Sequence, residues 1–552
     1  MKLLKNYMRA YALRNALEHD NAIVGKVLPK LFNHRLKKED IRKIMPQLNE
    51  IIKEVNSLSK EEKEKEFSKL ENLIPKREEK KNELSELPNV KKKMVFRAAP
   101  YPSGALHIGN AKTFLINALY AEKYKGKMIL VMDDTIGSEE KQIDEEAYKL
   151  IEDAFAFLKI KYSKPIVYKS DRLDIYYKHA LKLIEREKVY VCFCSQEAFK
   201  KLKDSKKDCP CRNVDGHENR SRWYAMFKAE PGKAVLRIKT SMQNSNPAFR
   251  DRVLFKISER EHPRVGKKFR VWPTLEMSWA VDDHLLGITH IIRGEDLRIE
   301  TEMEKFIWDI FNWEHPETIH TGLVNLEGLG VKISKSKSQK EVKSGKFFGW
   351  DDPRTWSIQS LERRGIRAEA IRQFVKDIGL NKQNITAPIE TIYSLNRGLI
   401  DKSSNRYFFV EKPKKIKIKH GHHEGVVEIP LHPDEPTRGY RKFRVKDEFY
   451  VQDKIERGKN YRLMHLFNFC NGEFVSHELD ETLKAKMIHW LPVSGNLVKV
   501  KIVLADGKIA DGLAESGVEN VKVGEVIQFE RFGFVRLDKK TKDGLEFWWA
   551  HK

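Results

Sequence analysis

The sequence predicts a multidomain α/β plus all-β protein: a doubly wound parallel sheet, then a helical stretch, then C-terminal β-barrels. Three observations predict it. Short apolar strands alternate with helices from Met94 to Glu187. Residues 340–400 are helical and basic. From Lys412 onward short strands with alternating polarity dominate. Strand–helix alternation at this spacing implies a parallel sheet with both faces covered, and a run of short strands implies sandwiches or barrels.

Residues 1–88 read as a solvated helical appendage. Leu13, Leu17, Ile23 and Leu28 sit among charges, a Lys/Glu-dense stretch runs from Lys60 to Lys81, and Pro88 closes it. Met94–Ala98 is then a strand and Leu106–Lys125 a helix with its apolar stripe at Leu106, Phe114, Ile116 and Leu119. Met128–Met132 is a buried strand ending in Asp133 and Asp134, followed by the helix Glu145–Leu158, the strand Ile166–Tyr168 and the helix Arg172–Glu187. Such sheets bind ligands beyond the carboxyl ends of their strands. The Pro100–His107 loop and the Asp133/Asp134 pair both fall there. Residues 191–275 break the alternation and carry four cysteines. Alternation returns with Ser278–Leu286, Ile288–Ile292 and the helix Glu302–Phe311. The C-terminal strands are Lys414–Lys419, Val426–Pro430, Lys442–Val445, Val498–Leu504, Val526–Phe529 and Gly533–Leu537.

The 552 residues exceed one compact domain. The 104 Lys+Arg against 80 Asp+Glu give a formal charge of +24, which suits a polyanionic partner, most simply nucleic acid. No apolar run approaches the ~20 residues of a membrane span. Met1 to Phe32 mixes charges and lacks the apolar core of a signal peptide. A cytoplasmic protein without membrane contact is expected. Five cysteines do not make a disulfide scaffold, and Cys470, alone, is expected to be buried.

Two segments carry chemistry. In Arg97–Asn110 (RAAPYPSGALHIGN) a strand enters a Pro/Gly turn that opens a helix. Helix N-termini present unpaired N–H groups and partial positive charge, suited to phosphate. His107 and Asn110 lie three apart on one face, and Gly109 leaves room for a nucleotide against the backbone. In Lys332–Ser336 (KISKS) Lys335 can neutralise phosphate charge and the serines can orient it. A cap or a solvated turn would account for either segment alone. Together they resemble the paired His-Ile-Gly-His and Lys-Met-Ser-Lys-Ser signatures of class I aminoacyl-tRNA synthetases. Val281–Gly294 (VDDHLLGITHIIRG), Gly349–Arg354 (GWDDPR), Arg363–Gly365, Ser170–Arg172 with Tyr176 and Tyr177, and Asn246–Ala248 resemble the glutamyl/glutaminyl subfamily. The resemblance runs from about residue 94 to the C-terminus. In Leu431–Pro433, His489–Pro492 and Gln528–Phe534 it points to the archaeal and eukaryotic type with barrel anticodon domains.

The resemblance implies six parts. They are an N-terminal appendage (1–88), a Rossmann-type catalytic domain in two halves (89–190 and 278–339), an inserted acceptor-end domain (191–277), a helical stem-contact region (340–405) and anticodon-binding barrels (406–552). It implies ATP with Mg²⁺, bound by Pro100, Gly104, His107, Gly109, Asn110, Ser334, Lys335 and Ser336. Among these, His107, Asn110 and Lys335 stabilise charge on the phosphates. It implies glutamate, with Arg97 and Arg293 on its carboxylates and Asp133 on its α-amino group. Glutaminyl relatives lack an arginine at the position of Arg293. A guanidinium forks onto a carboxylate, and one charge-assisted bond is worth roughly 1.5–3 kcal/mol against an amide. The residue-level alternatives are an ion pair of Arg293 with Glu295 or Asp296, and an N-cap at Asp133. The implied partners are tRNA(Glu) and, left open, tRNA(Gln). The oligomeric state is open, a monomer being the simpler expectation. The rival readings are a glutaminyl enzyme and a non-catalytic RNA-binding paralogue. The latter is motivated by departures from the usual pattern at Asn110, Val131 and Leu275; others are Tyr101, Ile136-Gly137, Glu276 and Ile333.

Cys192, Cys194, Cys209 and Cys211 form two Cys-x-Cys pairs. In a cytosolic protein these favour a metal over a disulfide, and four thiolates suit one structural Zn²⁺; reduced thiols packed in a small core are the alternative. Trp548 and Trp549 read as core rather than base-stacking residues.

Overall fold

A computed structural model describes residues 2–19, 21–31, 34, 36, 38–74, 83–137, 142–328, 335–419, 425–493 and 496–552. The chain forms two compact units, Met1–Glu83 and Leu84–Lys552. The first unit contains the helices Lys2–His19, Val24–Leu31, Ile41–Ser57 and Lys60–Leu70. It is more than a solvated appendage. Met8, Leu13, Val27, Leu48, Ile51 and Val55 enclose a core of their own, while Ile23 is exposed. Ser59 caps the last helix through a reciprocal capping box with Glu62.

In the second unit Val95–Ala98 pairs in parallel with Lys127–Met132, which pairs in parallel with Ser163–Tyr168. On the other side of Val95–Ala98, Thr289 donates its N–H to the Val95 carbonyl at 2.9 Å and accepts the Val95 N–H on its hydroxyl at 2.9 Å. The strand His290–Gly294 starts there and pairs in parallel with Glu317–Thr321. The chain thus builds outward from Val95–Ala98, then crosses and builds the other way. Arg97 and Arg293 sit at the carboxyl ends of the two strands that flank this switch point, where open α/β sheets bind ligands. Alternate residues feed opposite faces. Met128, Leu130 and Met132 join one core with Leu115 and Phe155, while Ile129 and Val131 join another with Leu173 and Met277.

The break at 191–275 is a four-stranded antiparallel sheet: Val189–Cys192, Val235–Ile238, Val253–Ile257 and Val271–Pro273, in that order. Ser278–Leu286 belongs to the helix Leu275–Leu285, and Glu302–Phe311 to the longer helix Arg298–Phe311. The region 340–400 is helical in Ile358–Arg364, Ala368–Ile378 and Glu390–Ile400, but Ile385–Pro388 is a strand paired with Val324–Glu327.

Further on, seven strands run in the order Arg406–Tyr407, Val526–Phe529, Gly533–Thr541, Gly544–His551, Leu497–Val503, Ile509–Glu515, Phe409–Glu411. Its two edge strands are separated in sequence by Phe408 alone, so the sheet must curl until its edges nearly meet: a nearly closed barrel. A second core, around Phe408, Phe443, Phe449, Tyr461 and Trp490, serves the strands between residues 414 and 492. Trp548 is buried; Cys470, expected inside, is only partly covered. Among the described residues no helix is long and apolar enough to cross a membrane.

Candidate active site

A cavity of about 1020 Å³ opens at the switch point. Arg97, Pro100, Gly109, Asn110, Asp133 and Arg293 all line it, together with Trp279. These residues come from three strand ends, one turn and two helices. Their side chains form charge pairs, because a charge taken out of water must be compensated. Arg97 directs Nε and Nη2 at the two carboxylate oxygens of Asp283. Arg293 forks Nη1 and Nη2 onto Glu304, not onto Glu295 or Asp296. The Lys169 ammonium lies 2.9 Å from Asp133, which is therefore an ion-pair partner rather than a helix cap. All three cations stand 4.9 Å from the Trp279 ring centre, a cation–π distance. Asp283 and Glu304 are fully buried. Burial pushes the Glu304 carboxyl up to about 7, although Arg293 pulls it back.

His107 is the N-cap of the helix Ile108–Lys123, and its carbonyl accepts the N–H groups of Asn110 and Ala111. Asn110 turns a buried, unpaired Oδ1 within the cavity wall. A Cβ on Gly109 would come within 3.0 Å of the His107 ring, so glycine here lets the imidazole lie along the helix start. Gly104 is required by its surroundings. Its φ is +135°, and the Trp350 indole fills the space a Cβ would need, so only glycine fits this turn. Asn117 ties this helix to the neighbouring strand, donating to the Ile292 carbonyl at 2.8 Å. Lys112, buried one turn after Ile108, donates to Thr321 Oγ1 and to the Gly322 carbonyl, each at 3.0 Å; burial lowers its pKa to about 8.

Of the second signature, Lys332 to Ser334 lie outside the described residues. Lys335 and Ser336 head the helix Lys335–Lys343. Gln339, one turn on, lines the same cavity and donates to Asp144 at 3.4 Å. The helix opened by Lys335 therefore reaches the cavity that Asn110 lines.

Residues 93–402 match the family model "tRNA synthetases class I (E and Q), catalytic domain". Residues 404–488 and 487–538 match the two anti-codon binding domain models of the same family. The chain belongs to the class I (E and Q) tRNA synthetases. It is 39% identical over 557 residues to the glutamate–tRNA ligase of Methanocaldococcus jannaschii, covering 98% of this chain and 99% of that one. Against the glutamate–tRNA ligase of Pyrococcus furiosus it is 41% identical over 578 residues, covering 98% of each. Against that of Methanobrevibacter smithii it is 38% identical over 566 residues, covering both chains completely.

Within this synthetase fold the scattered subfamily motifs meet. Arg172 Nε donates to Asp282 at 2.7 Å and the Tyr176 hydroxyl to its other oxygen at 2.6 Å. Asp134 accepts the Ser170 N–H at 2.9 Å and hydroxyl at 2.7 Å, with the Tyr148 hydroxyl at 3.0 Å. These contacts lock helices against strand ends. Sequence reading missed Trp279, Lys169, Glu304 and Lys112. Trp279 and Asp283 were findable, being one turn apart on a helix whose end lies in the motif Val281–Gly294. Lys169 and Glu304 carried no signal, since only the fold brings them to the cavity.

The four cysteine sulfurs all lie within 4.8 Å of one another. The pairs Cys192–Cys209, Cys194–Cys209 and Cys194–Cys211 are 3.7, 3.5 and 3.9 Å apart. A tetrahedral zinc site with Zn–S of about 2.3 Å has sulfur–sulfur edges of roughly 3.8 Å, so the donor set fits that ion. Arg212, next to Cys211, donates through Nη1 to both oxygens of the buried Asp251, whose carboxylate also accepts the Tyr190 hydroxyl at 2.9 Å. That network ties the cysteine loop to the antiparallel sheet.

Proposed function

We propose that the chain is a glutamate–tRNA ligase: it activates glutamate with ATP to glutamyl-adenylate, releasing pyrophosphate, and transfers the glutamyl group to the 3′ end of tRNA(Glu). One observation carries the reading. Two buried guanidiniums line one cavity at the switch point, beside the helix start that bears His107 and Asn110. The names of the relatives agree with it.

In this reading ATP enters with Mg²⁺, its phosphates at the start of the helix Ile108–Lys123. His107, Asn110 and Lys335 stabilise charge as the glutamate carboxylate attacks the α-phosphate. Arg97 and Arg293 orient the amino acid, and Asp133 receives its α-amino group. The terminal ribose hydroxyl of tRNA then attacks the activated carbonyl. No side-chain nucleophile is needed, so the residues work by positioning and electrostatics. Cys192, Cys194, Cys209 and Cys211 would hold one structural zinc. The barrels and the basic helices would grip tRNA through phosphate contacts.

The test is amino-acid-dependent pyrophosphate exchange with tRNA present, run with glutamate and with glutamine. Exchange with glutamate alone supports the proposal. Exchange with glutamine alone would make it a glutaminyl enzyme, and tRNA binding without any exchange would make it a non-catalytic paralogue. Charging purified tRNA(Glu) and tRNA(Gln) separately decides how far tRNA use extends.

A further inference from the structure

With every carboxylate ionised, the charges around Trp279 cancel. Arg97, Arg293 and Lys169 are matched by Asp283, Glu304 and Asp133. An amino acid with an acidic side chain brings a net charge of −1 into a site whose own charge is zero. Each arginine the ligand would use is already forked onto a buried carboxylate. The three carboxylates are not equivalent. Asp133 lines the cavity itself, whereas Asp283 and Glu304 lie behind the guanidiniums and outside the lining. Glu304, from the helix Arg298–Phe311, has no exposed surface and takes both Nη groups of Arg293.

From this geometry we infer that Glu304 is a specificity-determining residue: its charge state sets how much positive charge Arg293 offers to the amino acid, and an acidic amino acid binds with Glu304 neutral. The inference rests on the glutamate reading above. Burial already raises the Glu304 pKa to about 7. A ligand carboxylate in front of Arg293 competes with Glu304 for the same cation and raises it further. Binding above pH 7 must then take up one proton from solvent. The charged or titratable groups facing the pair are Arg97 from the first strand, Asp283 from the helix Leu275–Leu285, Arg293 itself, and His320, which stands opposite Arg293 in the next strand. His320 has its pKa lowered by burial and so titrates below this window. Glu300, one turn before Glu304, is occupied by Arg252 at 2.9 Å.

The test measures the glutamate KM by tRNA-dependent pyrophosphate exchange between pH 6 and 8.5, in the wild type and in Glu304→Gln, with the ATP KM as an internal reference. Glu304→Gln keeps the shape and one acceptor for Arg293. In the wild type the glutamate KM is expected to rise above pH 7 towards about tenfold per pH unit, while the ATP KM stays level. In Glu304→Gln the glutamate KM is expected to be flat and several-fold below wild type at pH 8. His320→Gln is expected to keep the wild-type slope. A flat wild-type profile, a retained slope in Glu304→Gln, or a slope removed by His320→Gln overturns the inference while leaving the glutamate reading intact. A wild-type chain that exchanges with no glutamate at any pH overturns both. The wild-type profile decides even if Glu304→Gln does not fold.

Discussion

Arg364 is a fully buried cation held without a carboxylate among the described residues, and its replacement by methionine is the sharpest test of how the last strand is fixed to the catalytic unit. It ends the helix Ile358–Arg364. Its Nε donates to the Trp549 carbonyl at 3.0 Å, and its Nη2 donates to the Ala550 carbonyl and the Tyr393 hydroxyl, each at 2.8 Å. The guanidinium carbon stands 4.7 Å from the Trp356 ring centre. Methionine fills most of the volume but removes every donor. Each charged hydrogen bond is worth about 1.5–3 kcal/mol, so three amount to roughly 5–9 kcal/mol gross. Removing the charge also removes its desolvation cost, which offsets about half of that. The net loss is expected at about 3–5 kcal/mol, a fall in apparent Tm of roughly 5–15 °C by scanning calorimetry. Arg364→Lys should recover only a minority of it, because a single ammonium cannot span two carbonyls and a hydroxyl in one plane. If Arg364→Met melts within 1–2 °C of wild type, or Arg364→Lys matches wild type, the forked donor set is not what holds this strand.

The other predictions are shorter. Gly104→Ala forces a side chain into the Trp350 indole at a φ of +135°; strain and overpacking together should cost about 2–4 kcal/mol and cut exchange activity at least tenfold, read by Tm and initial rates. Glu515 accepts the Phe408 N–H at 2.6 Å and Arg441 at 2.9 Å, and burial raises its carboxyl from 4.5 to about 7. A raised acid stabilises the fold at low pH and loses that contribution as pH rises through the folded value. The urea-derived stability of wild type should therefore fall by roughly 3 kcal/mol more than that of Glu515→Gln between pH 4.5 and 8. Metal analysis of the purified chain should find about one zinc, lost in Cys209→Ser or with a strong chelator, and its loss should lower Tm with little change in ATP KM; a metal-free wild type of unchanged Tm would favour packed thiols. Lys112→Met should keep the fold but release the turn at Gly322, raising the ATP KM several-fold while the glutamate KM stays level in the exchange assay.

The periodic parts of the fold were legible in the sequence because their signals are local. Apolar runs of five residues gave the parallel strands at Val95–Ala98, Lys127–Met132 and His290–Gly294, whereas Glu317–Thr321, which has no such run, was missed; Val526–Phe529 fell where alternation placed it. The helix Ile358–Arg364 and the strand Ile385–Pro388 were blurred into one basic helical region. A four-residue strand held by a neighbour remote in sequence leaves little periodicity of its own. The N-terminal core was missed for a related reason: Met8, Leu48 and Val55 look isolated among charges until two helices bring them together. In the site, the motif residues Asn110, Asp133, Arg97 and Arg293 do meet at one cavity, while His107 caps the helix that carries Asn110 and is not in the cavity lining. At Gly104 the reason for a glycine was only half legible, because a turn before a helix suits a phosphate loop while the packed tryptophan is remote in sequence.

The partners of the arginines change what the site demands of its ligand. A guanidinium exposed in a pocket would attract any anion and would swing freely on its long side chain. Backed by a buried carboxylate and set against the Trp279 ring, each arginine keeps one orientation, and its charge is nearly spent before a ligand arrives. Affinity for a lone carboxylate is then modest, while geometry is strict. A ligand must present its oxygens along the edges that Asp283 and Glu304 leave open, and it must satisfy Lys169 and Asp133 at the same time. Selection by such an array works through fit as well as through the charge that Arg293 regains when Glu304 is neutral, and it makes the buried acids as decisive as the arginines they hold.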